Sequence, residues 1–106
     1  MKVYRLKDFV RGWVVGDFKE SVIRTKAFEF AVKFYRKGDK EKKHVHKKAD
    51  EISVVVSGKF SMNGKILKPG SVIWLKPGQP ANFSCLKNGS TAVIKTPSVI
   101  GDKYLI

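Results

Sequence analysis

One cysteine, two histidines and nine carboxylates are all that this 106-residue chain holds of the side chains that most often carry chemistry. A single cysteine, Cys85, excludes an internal disulfide. No Cys-His signature surrounds it, so the thiol reads as a small buried hydrophobe rather than a nucleophile. No apolar run approaches the length of a membrane span. The start, Met1 to Lys7, lacks the apolar stretch of a secretory signal, which makes the cytoplasm the expected location. No stretch of about twelve residues or more repeats its apolar side chains at helical spacing, so no long helix is expected. Acid is scarce in the second half: beyond Glu51, Asp102 is the one carboxylate in the sequence.

Base, by contrast, is abundant. Lysine and arginine number 22, and the formal net charge is +13. Such a balance points to anionic partners: a phosphate, a nucleotide-sugar, an acidic glycan or nucleic acid. Most of the lysines are spread along the chain and read as a solvated surface. Between Lys33 and Lys48 they are dense, and there Lys33, Arg36, Lys42 and Lys43 flank both histidines, placed to steer an anionic substrate. Nucleic acid is the weaker reading, because no helix-turn-helix, zinc-finger or RRM-type signature accompanies the charge.

The rest of the chain reads as short strands separated by turns. Residues 27–35 alternate, with Phe28, Phe30, Val32 and Phe34 on one face and Glu29 and Lys33 on the other, so the aromatic row is expected in the core. Val3, Tyr4 and Leu6 read as a short edge strand, and residues 12–16 as a second. Residues 51–56, 59–62, 65–67, 71–76, 81–86 and 91–96 read as further strands. Ser57-Gly58 breaks the first pair, and Lys87-Asn88-Gly89-Ser90 separates the last. Asn63-Gly64 is a hairpin signal, because both residues tolerate positive φ. Pro69-Gly70 and Pro77-Gly78 turn the chain again, and residues 98–106 form a tail apolar enough to dock. Many short strands with regular turns and no repeat imply one all-β domain over residues 1–106, a sandwich or barrel.

The histidines sit at His44 and His46. In an extended segment, positions i and i+2 project to the same side, and Val45 points away into apolar packing. The polar residues from Lys47 to Asp50 permit a turn that aims Glu51 at the same point. Two imidazoles and a carboxylate that converge outline a mononuclear metal site with open positions, suited to Fe(II), Mn(II), Ni(II) or Zn(II).

Gly38, five residues, His44-x-His46, four residues, Glu51, six residues and Gly58 resemble, position by position, the first signature motif of the cupin superfamily. The order of the later hairpin and turns is also similar, and the likeness spans roughly residues 27–96. It implies a jelly-roll β-barrel of antiparallel strands with His44, His46 and Glu51 binding a divalent transition metal in the barrel mouth. It also implies a homodimer, and a small-molecule ligand of anionic or carbohydrate type. The second cupin motif is degraded. Its histidine position is Ala81, its asparagine position is Cys85, and Lys76 stands at a proline position. Asn82 and Gln79 are candidates to replace the missing ligand, and with one ligand gone, metal binding is expected to be weaker or absent. Whether the chain is an enzyme stays open. The alternative is a metal-free, non-catalytic cupin acting as a binding or partner module.

Overall fold

The structure, a computed structural model, describes residues 1–106. Two short 3₁₀ turns, Leu6–Asp8 and Val10–Gly12, precede nine strands. The strands are β1 (Trp13–Gly16), β2 (Ile23–Arg24), β3 (Glu29–Tyr35), β4 (Lys40–His46), β5 (Asp50–Met62), β6 (Lys65–Leu67), β7 (Val72–Leu75), β8 (Pro80–Thr96) and β9 (Lys103–Leu105). No helix is long and apolar enough to cross a membrane. The expected edge strand at Val3 to Leu6 is instead irregular backbone leading into the first 3₁₀ turn.

β5 and β8 form the spine. The first half of β5 pairs with the second half of β8, from Asp50 opposite Thr96 to Val55 opposite Thr91. The second half of β5 pairs with the first half of β8, from Phe60 opposite Cys85 to Met62 opposite Phe83. Around one half β1, β2, β3 and β7 add antiparallel or parallel neighbours, and around the other β4, β6 and β9 do so. Two strand layers result, joined by a shared bent pair, which is the jelly-roll arrangement.

The bend corrects two sequence expectations. Ser57-Gly58 and Lys87 to Ser90 do not end strands: each lies within one long strand, 13 residues in β5 and 17 in β8, where the register shifts. Polar and glycine residues there serve a shared kink rather than a turn. Asn63-Gly64 does turn the chain, with φ of 49° and 80°, and the Asn63 side chain bonds both Pro80 and Asn82 backbone groups.

Between the layers lies an apolar cluster of Val55, Phe60, Met62, Leu67, Leu75, Ala81, Phe83 and Cys85, with Tyr35 and Ile73 packed against it. Phe60 and Phe83 stack at 5.1 Å, and Tyr35 meets both edge-on. The inward face of β3 is the reverse of the expected one. Ala31 is fully buried and Tyr35 joins the cluster, whereas Phe34 is 73% exposed. Period-two alternation shows that two faces differ but not which one turns inward. Here the interior at this level is polar, so Glu29 and Lys33 line it and the aromatic row faces outward. That outer face continues across four strands in register: Phe30, Ile94, Ile52 and Trp74 form one row, and Val32, Ala92, Val54 and Val72 the next.

The reversed face has a direct test. Phe60→Ala, in the core, is expected to cost about 3–5 kcal/mol, and Phe34→Ala within about 0.5 kcal/mol. Urea unfolding of the two variants checks it, and an equal loss at both positions would restore the aromatic row to the core.

Candidate functional site: a polar half-interior around two histidines

Beyond the apolar cluster the interior changes character. β4 carries a register shift between Glu41 and His44, and the extra residue lets Glu41, His44 and His46 all point inward while Lys42 and Lys43 stay exposed. His44 and His46 are each 4% exposed, and their rings lie 5.1 Å apart, edge to face. His44 Nδ1 lies 2.9 Å from the Lys42 carbonyl, and His46 Nδ1 lies 2.9 Å from the Asp102 carbonyl. A carbonyl only accepts, so in both rings Nδ1 carries a proton, which in a neutral ring leaves the lone pair on Nε2. His46 Nε2 is fully buried and has no hydrogen-bond partner; Glu51 Oε1 is 3.8 Å away. Burial, reinforced by the nearby Lys95, holds His46 below the usual imidazole pKa, so it is neutral near pH 7.

Asp102 explains why the turn after His46 is ordered. Its carboxylate accepts the backbone N–H groups of Lys47, Lys48 and Ala49 at 2.9–3.1 Å, while its own carbonyl orients His46. The tail is therefore part of the site: β9 pairs with the His44–His46 segment. The sequence singles Asp102 out only as the last acid.

Across from the histidines, one row of cross-strand neighbours reads Glu29, Lys95, Glu51, and Lys33 follows further along β3. Lys33 Nζ is 3.7 Å from Glu41 Oε1, and the Tyr35 hydroxyl donates to the same oxygen at 3.3 Å. Burial pushes the Tyr35 phenol far up, with Glu41 adding to it, so it stays protonated. Burial likewise raises Glu29, against the pull of Lys95 and Lys33, and lowers Lys33 against the pull of Glu41. A cavity of about 270 Å³, lined in part by Trp13, Glu29, Lys33, His46, Lys95 and Lys103, opens here. A separate inner hollow of about 30 Å³ shares the three lysines as lining and adds Tyr35, Glu41, His44 and Glu51.

The candidate ligands are thus near neighbours, yet no three His, Cys, Asp or Glu side chains are grouped closely enough to hold a metal ion. Ala81 pairs with His44 across the sheet and is 2% exposed, so a methyl occupies the place beside that imidazole. Asn82 is exposed, and its backbone N–H binds Asn63. Gln79 is also exposed, and its side-chain oxygen accepts the Lys76 N–H within the turn. Neither lines the hollow. Of the four bases expected to steer an anion, Lys33 lines the cavity, whereas Arg36, Lys42 and Lys43 are exposed and do not. Lys95, Lys103, Glu41 and Trp13 belong to the site without having been marked by any motif; their inward alternation is visible only with the strand pairing.

No family model and no curated protein matches the chain. Solved structures do. An uncharacterised conserved protein with a double-stranded β-helix domain from Klebsiella pneumoniae is similar over 98% of this chain and 90% of its own, at 21% identity and a TM-score of 0.73. An RmlC-like cupin from Shewanella frigidimarina is similar over 74% of this chain and 72% of its own, at 22% identity and a TM-score of 0.64. The chain has the cupin fold. A bacterial pirin from Escherichia coli, solved in complex with nickel(II), shares the fold over 83% of this chain and 39% of its own, at 14% identity and a TM-score of 0.69.

The Asp102 bridge is testable through pH. Burial alone would raise its pKa, but the N–H groups of Ala49, Lys48 and Lys47 together outweigh this and hold it below the ordinary 3.8. A carboxylate with a depressed folded pKa contributes stability that is complete above its unfolded value and disappears as pH falls through the folded one. Asp102→Ala is expected to cost roughly 1–3 kcal/mol at pH 7, with the gap from wild type closing below about pH 3.8. Melting curves between pH 7 and pH 2 check this; a gap independent of pH would assign the loss to packing instead.

Proposed function

We propose that this cupin binds a small anionic molecule beside a divalent metal held by His44, His46 and Glu51, side chains that are not gathered around one point in this structure and would have to draw together to hold it. The observation that carries the reading is the buried, unpartnered Nε2 of His46, with Nδ1 committed to a carbonyl. A metal-ligating imidazole has this arrangement: one nitrogen oriented by a backbone acceptor, the other left with its lone pair. The donor types, two imidazoles and a carboxylate, suit Fe(II), Mn(II), Ni(II) or Zn(II). A metal bound there supplies a Lewis-acid centre that polarises a ligand oxygen. The chain's own groups bind and orient that ligand: Lys33, Lys95 and Lys103 attract its charge, the apolar cluster closes one end against water, and Tyr35 holds a proton on its hydroxyl at Glu41. The pirin structure in complex with nickel(II) is consistent with this reading.

A metal-free binding module is favoured by one feature: Lys95 stands directly across from Glu51 and repels a cation. Elemental analysis separates the two. Wild-type protein reconstituted with Ni(II) or Zn(II) is expected to retain near-stoichiometric metal. His46→Ala and Glu51→Gln each remove a ligand and are expected to abolish stoichiometric retention, and Ala81→His to strengthen it. Absence of metal in wild type after reconstitution would leave the metal-free module.

We also propose a homodimer, through the outer face of β3, β8, β5 and β7. Val72, Trp74 and Val56 remain 57–67% exposed there. The two rows themselves carry no charged side chain, in a chain with 22 bases, and the Lys76 and Asp50 charges that meet Trp74 are of opposite sign, so a second copy meets a face with little net repulsion. Sedimentation should give a dimer for wild type and a monomer for Val72→Lys; a monomeric wild type would exclude it.

A further inference from the structure

Two fully buried side-chain atoms lack a hydrogen-bond partner: His46 Nε2 and Thr91 Oγ1. The second belongs to no metal site. Thr91 is 3% exposed, lies directly opposite Lys33 in the β3–β8 register, and lines the inner hollow. Tyr35 lies close enough for Thr91 to lower its pKa, yet no hydrogen bond of good geometry joins them, so the Thr91 hydroxyl, across the sheet from Lys33, is free to donate to an acceptor that enters the hollow.

The lysines shared by the cavity and the hollow are held in an unusual way. Lys33 Nζ lies 4.9 Å and Lys95 Nζ 5.0 Å from the centroid of the same ring, Trp13. In the register Trp13 is opposite Ala31, which stands midway between Glu29, the partner of Lys95, and Lys33 itself. The two ammoniums therefore reach the indole from opposite directions along the strands. Attraction to the ring keeps both heads over the cavity rather than extended into water. Lys95 forms no ion pair with Glu29 or Glu51, its cross-strand neighbours, and Lys33 has only a loose one with Glu41. Both charges remain available to a ligand.

We propose that the lysine-lined boundary between the cavity and the inner hollow binds a small dicarboxylate, with one carboxylate on Lys33 and Thr91 and the other on Lys95 and Lys103. Two cationic sites separated along the sheet suit two anionic groups joined by a short hydrocarbon spine better than a single compact phosphate. The cavity of about 270 Å³ admits a molecule of a few carbons, a little below the usual size of ligand pockets, and the 30 Å³ hollow lined by Thr91 takes only the tip of one carboxylate. This deepens the anion-binding part of the proposed function and rests on it, but it requires no metal.

Trp13 is the natural reporter, once the second tryptophan is removed by Trp74→Phe. The full chain, stripped of metal with chelator and kept at constant ionic strength, is titrated with succinate, acetate and inorganic phosphate. Succinate is expected to change Trp13 emission saturably, and to bind at least about ten-fold more tightly than acetate or phosphate. Thr91→Val, which keeps shape, and Lys95→Met are each expected to weaken succinate by roughly ten-fold, with circular dichroism confirming that both fold. Lys103→Met, at an exposed position, provides a further variant and is expected to weaken succinate likewise. Acetate or phosphate binding as tightly as succinate would overturn the assignment, as would unchanged affinity in all three variants. The metal reading stands or falls separately, by elemental analysis of the reconstituted protein.

Discussion

A close backbone approach, where β5 and β8 kink together, sets the geometry of everything else. A Cβ on Gly58 would lie 2.5 Å from the Asn88 carbonyl oxygen and from Gly89 Cα, and one on Gly89 would collide with the Ser57 carbonyl. Gly58 also has a φ of 82°, in the region that side chains disfavour. Because both strands kink at one level, each can belong to two layers. The first half of β5 presents Glu51 and Ser53 to the polar interior, and the second half presents Phe60 and Met62 to the apolar cluster. One pair of strands thereby divides the space between the layers into a packed end and a ligand-accommodating end.

That division carries a cost and a compensation. Burying Glu29, Lys33, Glu41, His44, His46, Glu51 and Lys95 in whole or part spends stability that an apolar filling would retain. The cluster at the other end, with its stacked and edge-on aromatic rings, supplies the hydrophobic gain. Within the polar end, carboxylates and ammoniums alternate across strands, which keeps any single charge from being isolated. The two polar atoms left without partners, on His46 and Thr91, both face this space.

Order at the histidines arrives from far along the chain. Asp102 binds three successive N–H groups after His46 with its side chain and the His46 ring with its backbone. A carboxylate that satisfies an otherwise orphaned turn does structural work that resembles, from sequence, a solitary surface acid. The outward aromatic row is the converse case. Phe30 and Val32 look like core because they are apolar and alternate, yet they cover the outside of a sheet whose inside is reserved for charge.

Local chemistry was legible in the residues themselves. The Asn63-Gly64 turn follows from two residues that accept positive φ, and the shared orientation of His44 and His46 follows from the pleat. The spacing from Gly38 to Gly58 pointed to the fold, because that close crossing admits only glycine at its end. What the sequence left undetermined were choices between equivalent local states. Alternation along β3 is the same whichever face turns inward, and Ser57-Gly58 is as compatible with a strand end as with a kink. Cross-strand pairing made those choices, since only contacts between distant segments distinguish the two faces of a strand. The same pairing brought Lys95, Thr91 and Asp102 to histidines some fifty residues earlier, a juxtaposition that depends on tertiary structure because no short-range pattern encodes it.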